Sequence, residues 1–503
     1  MPSRDIRDLY QTSDAIGLAK LIQRRDVTPS ELMEAAIAQA EKINPCINAL
    51  VSSDYELARS QARAYEANTT FAGVPYLEKN YAVQVAGFRT TNGSKFLHRL
   101  APIAASDSEA VCRLRSAGLI PFGMTNSPEM GLDWATEPIV YGATLNPWNL
   151  AFSASGSSGG AAAAVAARIV PVAGGSDGGG SIRMPASFCG LVGLKPSRGR
   201  IPNPWQGVVV PGSVLGCLSR TVRDTAAYLD VTSGQCPGDY FTPPTRDGSF
   251  VELSAREPGR LRIGLAKSLP SGLKLDPEIA DCLDETARLL ENCGHRVEPC
   301  ELSLFSESHR AARARIWAVQ LAQRLIAAEE AFGTRMLDDD IEPYTRSLME
   351  KGKSIDAVTF AGDIETARNS ARDIAGQLAR YDVVLSPVYP GHTFRRGEGC
   401  YKGDYTAWSE QKKLAFSEYL SPINESGVPA ISLPVGEFGD GLPFGVQLVG
   451  RYGDEITLLQ IANALEQQLR WHERQPAIVK EMSHGIAVTC GSAKFGLPLG
   501  SRK

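Results

Sequence analysis

No C-x-x-C pair occurs in the 503 residues, although ten cysteines are scattered from Cys46 to Cys490. That scatter excludes a small disulfide-stapled scaffold and fits free thiols in a reducing compartment. Also missing is any apolar run near the roughly 20 residues that a bilayer span requires. The start, Met1-Pro-Ser-Arg-Asp, has no apolar signal core. A cytoplasmic protein with no membrane partner is expected. Excess charge is small, with 52 Lys and Arg against 56 Asp and Glu and a net charge of −4, so no nucleic-acid partner is expected. Histidines number six, and none of His98, His295, His309, His392, His472 and His484 lies in a motif that marks a catalytic base. There is no internal repeat and no low-complexity segment. G-x-x-x-x-G-K-[ST] is absent, and a spaced G-x-G-x-x-G fails because residue 183 is Arg, so phosphate binding by the glycine stretch has no support.

What is present is apolar material for a large core, 43% of residues. Residues 1–70 read as a helical segment wrapping that core: a helix capped by Ser13, one opened by Thr28-Pro29-Ser30-Glu31, and a third over Asp54–Tyr65. From Gly73 the texture changes to short apolar runs between Gly/Ser/Pro loops. Leu119–Gly123 and Ile169–Ala173 are expected as buried strands, and Ala161–Arg168 as a buried helix. Residues 275–380 read as a helical insertion, carried by Asp276–Leu290 and Arg310–Phe332. Strands are expected again at Val383–Ser386, Ala430–Pro434 and Gly445–Val449. The fold class is α/β, a large mixed sheet sandwiched by helices within 71–480, followed by a tail over 481–503.

The chemistry concentrates in residues 153–196, where two Ser/Gly clusters flank a helix and a strand. Gly178, Gly179 and Gly180 allow a backbone path that points several N–H groups at one spot, and Ser181 follows directly. A hydroxyl beside convergent donors suits acyl transfer: the oxygen attacks a carbonyl and the donors hold the oxyanion. Upstream, Gly73-Val-Pro-Tyr-Leu-Glu-Lys79-Asn80 sets a lysine at the end of an expected buried strand. As a base, Lys79 must be neutral. Lowering a lysine from about 10.4 to 7 costs roughly 4.6 kcal/mol, which burial can impose. The alternative is a structural lysine donating to carbonyls.

These segments resemble the amidase signature family. The matches are GVPYLEKN at 73–80, MTNSPEM at 124–130, SGSSGG at 155–160, GGSDGGGSIRMPASFCGLVGLKPSRGRI at 174–201, SGVPAISLPVG at 426–436 and GLPFGVQLVG at 441–450. The resemblance covers about residues 10–480. It implies a sheet of roughly eleven strands, no metal, no organic cofactor, and a homodimer. It places the catalytic lysine on Lys79, the bridging serine, preceded by a cis peptide, on Ser157, and the nucleophile on Ser181. It places the oxyanion donors on the backbones of Gly178, Gly179, Gly180 and Ser181, and supporting roles on Asp177 and Arg183. The implied activity is hydrolysis of a small-molecule amide through an acyl-enzyme. Within the family, 126–150 and 219–234 are similar to bacterial hydrolases of the 6-aminohexanoate cyclic dimer. Met130, Trp134, Trp205, Trp317 and Tyr389 are the candidate pocket residues, with Met130 set beside the oxyanion group. The chain departs from the family pattern at Asn80, Met124, Ser155 and Gly178, which touches the placement of Lys79 and the pocket shape.

Two rival readings remain open from sequence. Gly156-Ser-Ser158-Gly-Gly fits a loose nucleophile elbow, with Ser158 served by a histidine. An amidotransferase subunit, releasing ammonia for a transfer-RNA-linked reaction, would share the same motifs. Ser271-Gly-Leu-Lys274 formally matches S-x-x-K but sits in a polar loop.

Overall fold

A computed structural model describes residues 6–203, 212–269, 271–304, 306–399, 415 and 418–483. The described residues form thirteen strands: β1 (Leu50–Ser53), β2 (Pro75–Lys79), β3 (Ile120–Thr125), β4 (Leu145–Asn146), β5 (Asn149–Ser153), β6 (Val172–Asp177), β7 (Val192–Lys195), β8 (Val214–Ser219), β9 (Arg262–Leu265), β10 (Arg296–Pro299), β11 (Val383–Pro387), β12 (Ala430–Glu437) and β13 (Pro443–Val449). Eleven of them build one mixed sheet in the order β1-β3-β2-β6-β8-β7-β12-β13-β11-β9-β10, and β4 pairs with β5 apart from it. The pairs β2/β3, β2/β6, β9/β11 and β9/β10 are parallel, while β6/β8, β7/β8, β7/β12, β12/β13 and β11/β13 are antiparallel. Helices flank the sheet, so the expected α/β class is the one observed.

Local chemistry explains most boundaries. Thr28 and Glu31 form a reciprocal capping box at Pro29–Ile47, the Thr28 hydroxyl accepting from the Glu31 N–H at 3.2 Å and Glu31 accepting from the Thr28 N–H at 2.8 Å. The helix Ala15–Gln23 is capped by Asp14, not by Ser13, because the Asp14 carboxylate accepts from the Gly17 N–H at 2.9 Å. Two expectations need correction. The first seventy residues are not all helical, since β1 pairs antiparallel with β3. Residues 275–380 also hold β10, which extends the sheet beside β9.

The arrangement fixes the site's place. β2 and β6 run parallel with Leu77 opposite Ala173, so their carboxyl ends, Lys79 and Asp177, reach the same edge. Binding sites in such sheets lie outside the carboxyl ends of the strands. The helix Gly159–Ala166 is buried at all eight residues; its run of alanines lets it lie close against β6 and β2. The helix Arg183–Cys189 starts two residues after Ser181 and is likewise buried.

Candidate active site

Lys79, the last residue of β2, is fully buried. Its Nζ donates to Ser157 Oγ at 2.7 Å and to Ser176 Oγ at 3.0 Å. Burial lowers the ammonium to about 7, against the charges of Asp177 and Glu78, which favour the protonated form. Ser157 follows a cis peptide bond from Gly156 and precedes the buried helix. The two serine motifs are tied together by the Ser158 N–H, which donates to the Ser181 carbonyl at 3.2 Å. Ser157, Ser176 and Ser181 all line one cavity of about 70 Å3, with Met130, Trp317 and Arg324 among its walls.

Asp177 shapes the glycine loop. Its Oδ1 accepts from the Gly180 N–H at 2.7 Å, and its Oδ2 from the Ile182 N–H at 3.1 Å. Arg183 grips both carboxylate oxygens, Nε and Nη2 each at 3.0 Å. Burial alone would push this carboxyl up; the Arg183 guanidinium holds it well below the usual carboxylate range. Arg183 also donates to Gln447 Oε1 at 2.6 Å, to the Leu420 carbonyl at 3.0 Å and to Asn424 Oδ1 at 2.5 Å. Gly180 takes φ +117°, and an added Cβ would lie 2.5 Å from Leu420 Cδ1, so no side chain fits there.

The Gly180 N–H is committed to Asp177 and so drops out of the expected oxyanion set. The N–H groups of Gly178, Gly179 and Ser181 donate to no acceptor among the described residues. Met130 lines the cavity at φ +52°, but its N–H donates to the Asn92 carbonyl at 2.7 Å. Among the other pocket candidates, Trp317 is a wall. Trp134 and Tyr389 pack instead beside Met184, Phe188 and Leu420, and Trp205 lies outside the described residues.

The rival serine is placed elsewhere. Ser158 Oγ faces the Ser176 backbone, donating to its carbonyl at 3.2 Å, and no histidine lines the cavity among the described residues. His98 is half-buried, His295 is buried, and His309 is buried against Glu425. Ser271 Oγ donates to Glu418 at 2.6 Å and has no lysine partner among the described residues. Asn80 turns from Lys79 to Thr91, donating to its hydroxyl and accepting from its N–H, each at 2.7 Å. Among the described residues seven cysteines carry free thiols, whereas Cys46 is disulfide-bonded, which corrects the expectation of a free thiol there. Among the described residues no helix is long and apolar enough to cross a membrane.

Sequence reasoning missed Ser176, the second hydroxyl on Lys79, although its place next to Asp177 on a strand ending at the site was a usable signal. It also missed Gln320, Leu321 and Arg324, which share one face of the helix Glu307–Phe332 with Trp317 at spacings of three and four.

A mixed sheet between helices carries this lysine–serine cluster at its edge, and comparison with known proteins gives the class, a hydrolase that acts on carbon–nitrogen amide bonds, and the family. The amidase family profile matches residues 31–459. The 6-aminohexanoate-cyclic-dimer hydrolase of Paenarthrobacter ureafaciens is 38% identical over 484 residues, 94% of this chain and 97% of that protein. A structure of 6-aminohexanoate cyclic dimer hydrolase complexed with substrate superposes with a TM-score of 0.88 at 37% identity, covering 94% of this chain and all of the other. A bacterial aryl acylamidase of the amidase signature family superposes with a TM-score of 0.83 at 27% identity, covering 92% and 97%. The chain belongs to the amidase signature family.

Proposed function

We propose that this amidase works through Lys79, Ser157 and Ser181, with Ser181 as the nucleophile of an acyl-enzyme. The observation that carries the reading is the 2.7 Å bond from buried Lys79 to Ser157, in a cavity that Ser181 also lines. Neutral Lys79 takes a proton from Ser157 as Ser157 takes one from Ser181, and the Ser181 oxygen attacks the amide carbon. The N–H groups of Gly178, Gly179 and Ser181 are the candidate oxyanion donors, each typically contributing about 2.7–4 kcal/mol to lowering the barrier. The relay returns the proton to the departing nitrogen, and water then releases the acyl group. Asp177 and Arg183 hold the loop in shape. The site works in the cytoplasm on this reading.

For substrate, we propose a small, largely apolar amide, with a cyclic oligoamide of the 6-aminohexanoate type as the first candidate. The likeness of the relatives and the walls Met130, Leu132, Trp317 and Leu321 support it. The test is a hydrolysis screen of the lone chain over cyclic, linear aliphatic and aryl amides, native against Ser181→Ala. The variant is expected to lose turnover and fluorophosphonate labelling while melting at the native temperature. Normal hydrolysis by Ser181→Ala sinks the assignment. Failure of the lone native chain on every simple amide favours the amidotransferase-subunit reading.

A further inference from the structure

Glu78 is a buried carboxyl group that the proposed reaction does not use. It stands on β2 directly before Lys79 and is 4% exposed. Alternation along the strand turns it to the face covered by the helix Val222–Thr232, away from Ser157. Its Oε2 accepts from Tyr76 Oη at 2.7 Å, and its Oε1 accepts from the Lys79 backbone N–H at 2.8 Å. Tyr228 of that helix bonds to Tyr76, and Cys217 of β8 is the other titratable group acting from this face. On the far face, the charge of Asp177 of β6 acts on Lys79 as well and, like that of Glu78, favours the protonated amine. The niche exists because residue 174 of β6 is glycine: an added Cβ would stand 2.1 Å from Glu78 Oε1 and 2.2 Å from Tyr76 Oη. Among the described residues Lys79 is the one cation acting on this carboxyl.

We propose that Glu78 is a positioning residue for the proton on Lys79, its charge behind the strand setting the pH at which the amine is released for catalysis. An ionised carboxylate across a dry strand attracts the ammonium and retains the proton; a neutral carboxyl does not. The bonds from Tyr76 and the Lys79 N–H favour the ionised form, while burial opposes it and raises Glu78 to about 7. Glu78 therefore changes charge in the same pH range in which burial brings Lys79 to about 7. Because Lys79 is active when neutral, an ionised Glu78 moves the acid side of the activity profile upward. Deleting its charge moves that side downward.

This inference rests on Lys79 as the base, and the experiment separates the two. The rate of fluorophosphonate labelling of Ser181 is measured against pH for the native chain, Glu78→Gln, Tyr76→Phe and Lys79→Ala, with thermal melting to establish folding. The native midpoint is expected near 7, with Glu78→Gln lower by about one pH unit. Tyr76→Phe, which takes a donor from the carboxylate, is expected to shift it the same way by less, and it serves if Glu78→Gln does not fold. Lys79→Ala is expected to label slowly with no such midpoint. Unmoved midpoints in Glu78→Gln and Tyr76→Phe, whatever their rates, overturn the role of Glu78 while Lys79 stands. Native labelling by Lys79→Ala overturns the base itself.

Discussion

Two lysines lie fully buried among the described residues, Lys79 and Lys195, and burial pulls each ammonium down to about 7. Low proton affinity alone therefore does not mark a base. Lys195 Nζ donates to the Pro196 carbonyl at 2.9 Å, which is the structural role that the sequence left open for Lys79. Lys79 donates to two hydroxyls at a cavity. Lys195→Met is accordingly expected to leave the pH midpoint of turnover where the native enzyme has it, whereas Lys79→Met is expected to remove it; kcat/KM against pH checks both. In the sequence, Lys79 stood out through its motif, and the structure sets it beside Ser157 and near Ser181. Glu78 and Ser176 did not stand out, because their importance depends on which strands are neighbours. Only the β2/β6 pairing brings Gly174 against Glu78 and Ser176 against Lys79.

At the scale of elements, the cavity wall comes from the helix Glu307–Phe332. Trp317 lies over the glycine loop: a Cβ added at Gly178 would be 3.4 Å from its Cη2. The Arg313 guanidinium stands 5.2 Å from the Trp317 ring and pairs with Glu425 at 2.5 Å, which holds the indole in place. Trp317→Ala is expected to open this wall. The ratio of kcat/KM for bulky over small amides should rise by at least about tenfold, since even a single methylene of pocket contact discriminates by roughly 10–200-fold and this change removes a whole indole. Core elements were readable as apolar runs, for β3, β11, β12 and β13 alike. Strands β1, β4, β5, β7, β8, β9 and β10 went unread; of these, β1 and β10 are the two edges of the main sheet, only four residues long and mostly half-exposed or exposed. Edge strands need no continuous apolar pattern, so periodicity has nothing to report there. The glycine loop was legible as a loop, but the direction of the Gly180 N–H depends on where Asp177 is held.

Across the whole molecule, burial is uneven. Every residue of Gly159–Ala166 is buried, whereas the longer Ala357–Leu378 buries four of its twenty-two. Hydrogen exchange followed by mass spectrometry should find Gly159–Ala166 among the last amides to exchange, and Ala357–Leu378 opening earlier. Equal protection of the two helices would contradict this gradient.

Arg183 reaches Asp177, six residues away, and also Leu420, Asn424 and Gln447, more than 230 residues further along the chain. Its guanidinium has no water to fall back on, so the loop it braces cannot settle until those late segments are in hand. A chain still emerging from the ribosome thus carries Ser181, the proposed nucleophile, long before the loop around it can be braced. On the proposed reading, competence waits for residues 420–447, far downstream of Ser181, to be in place.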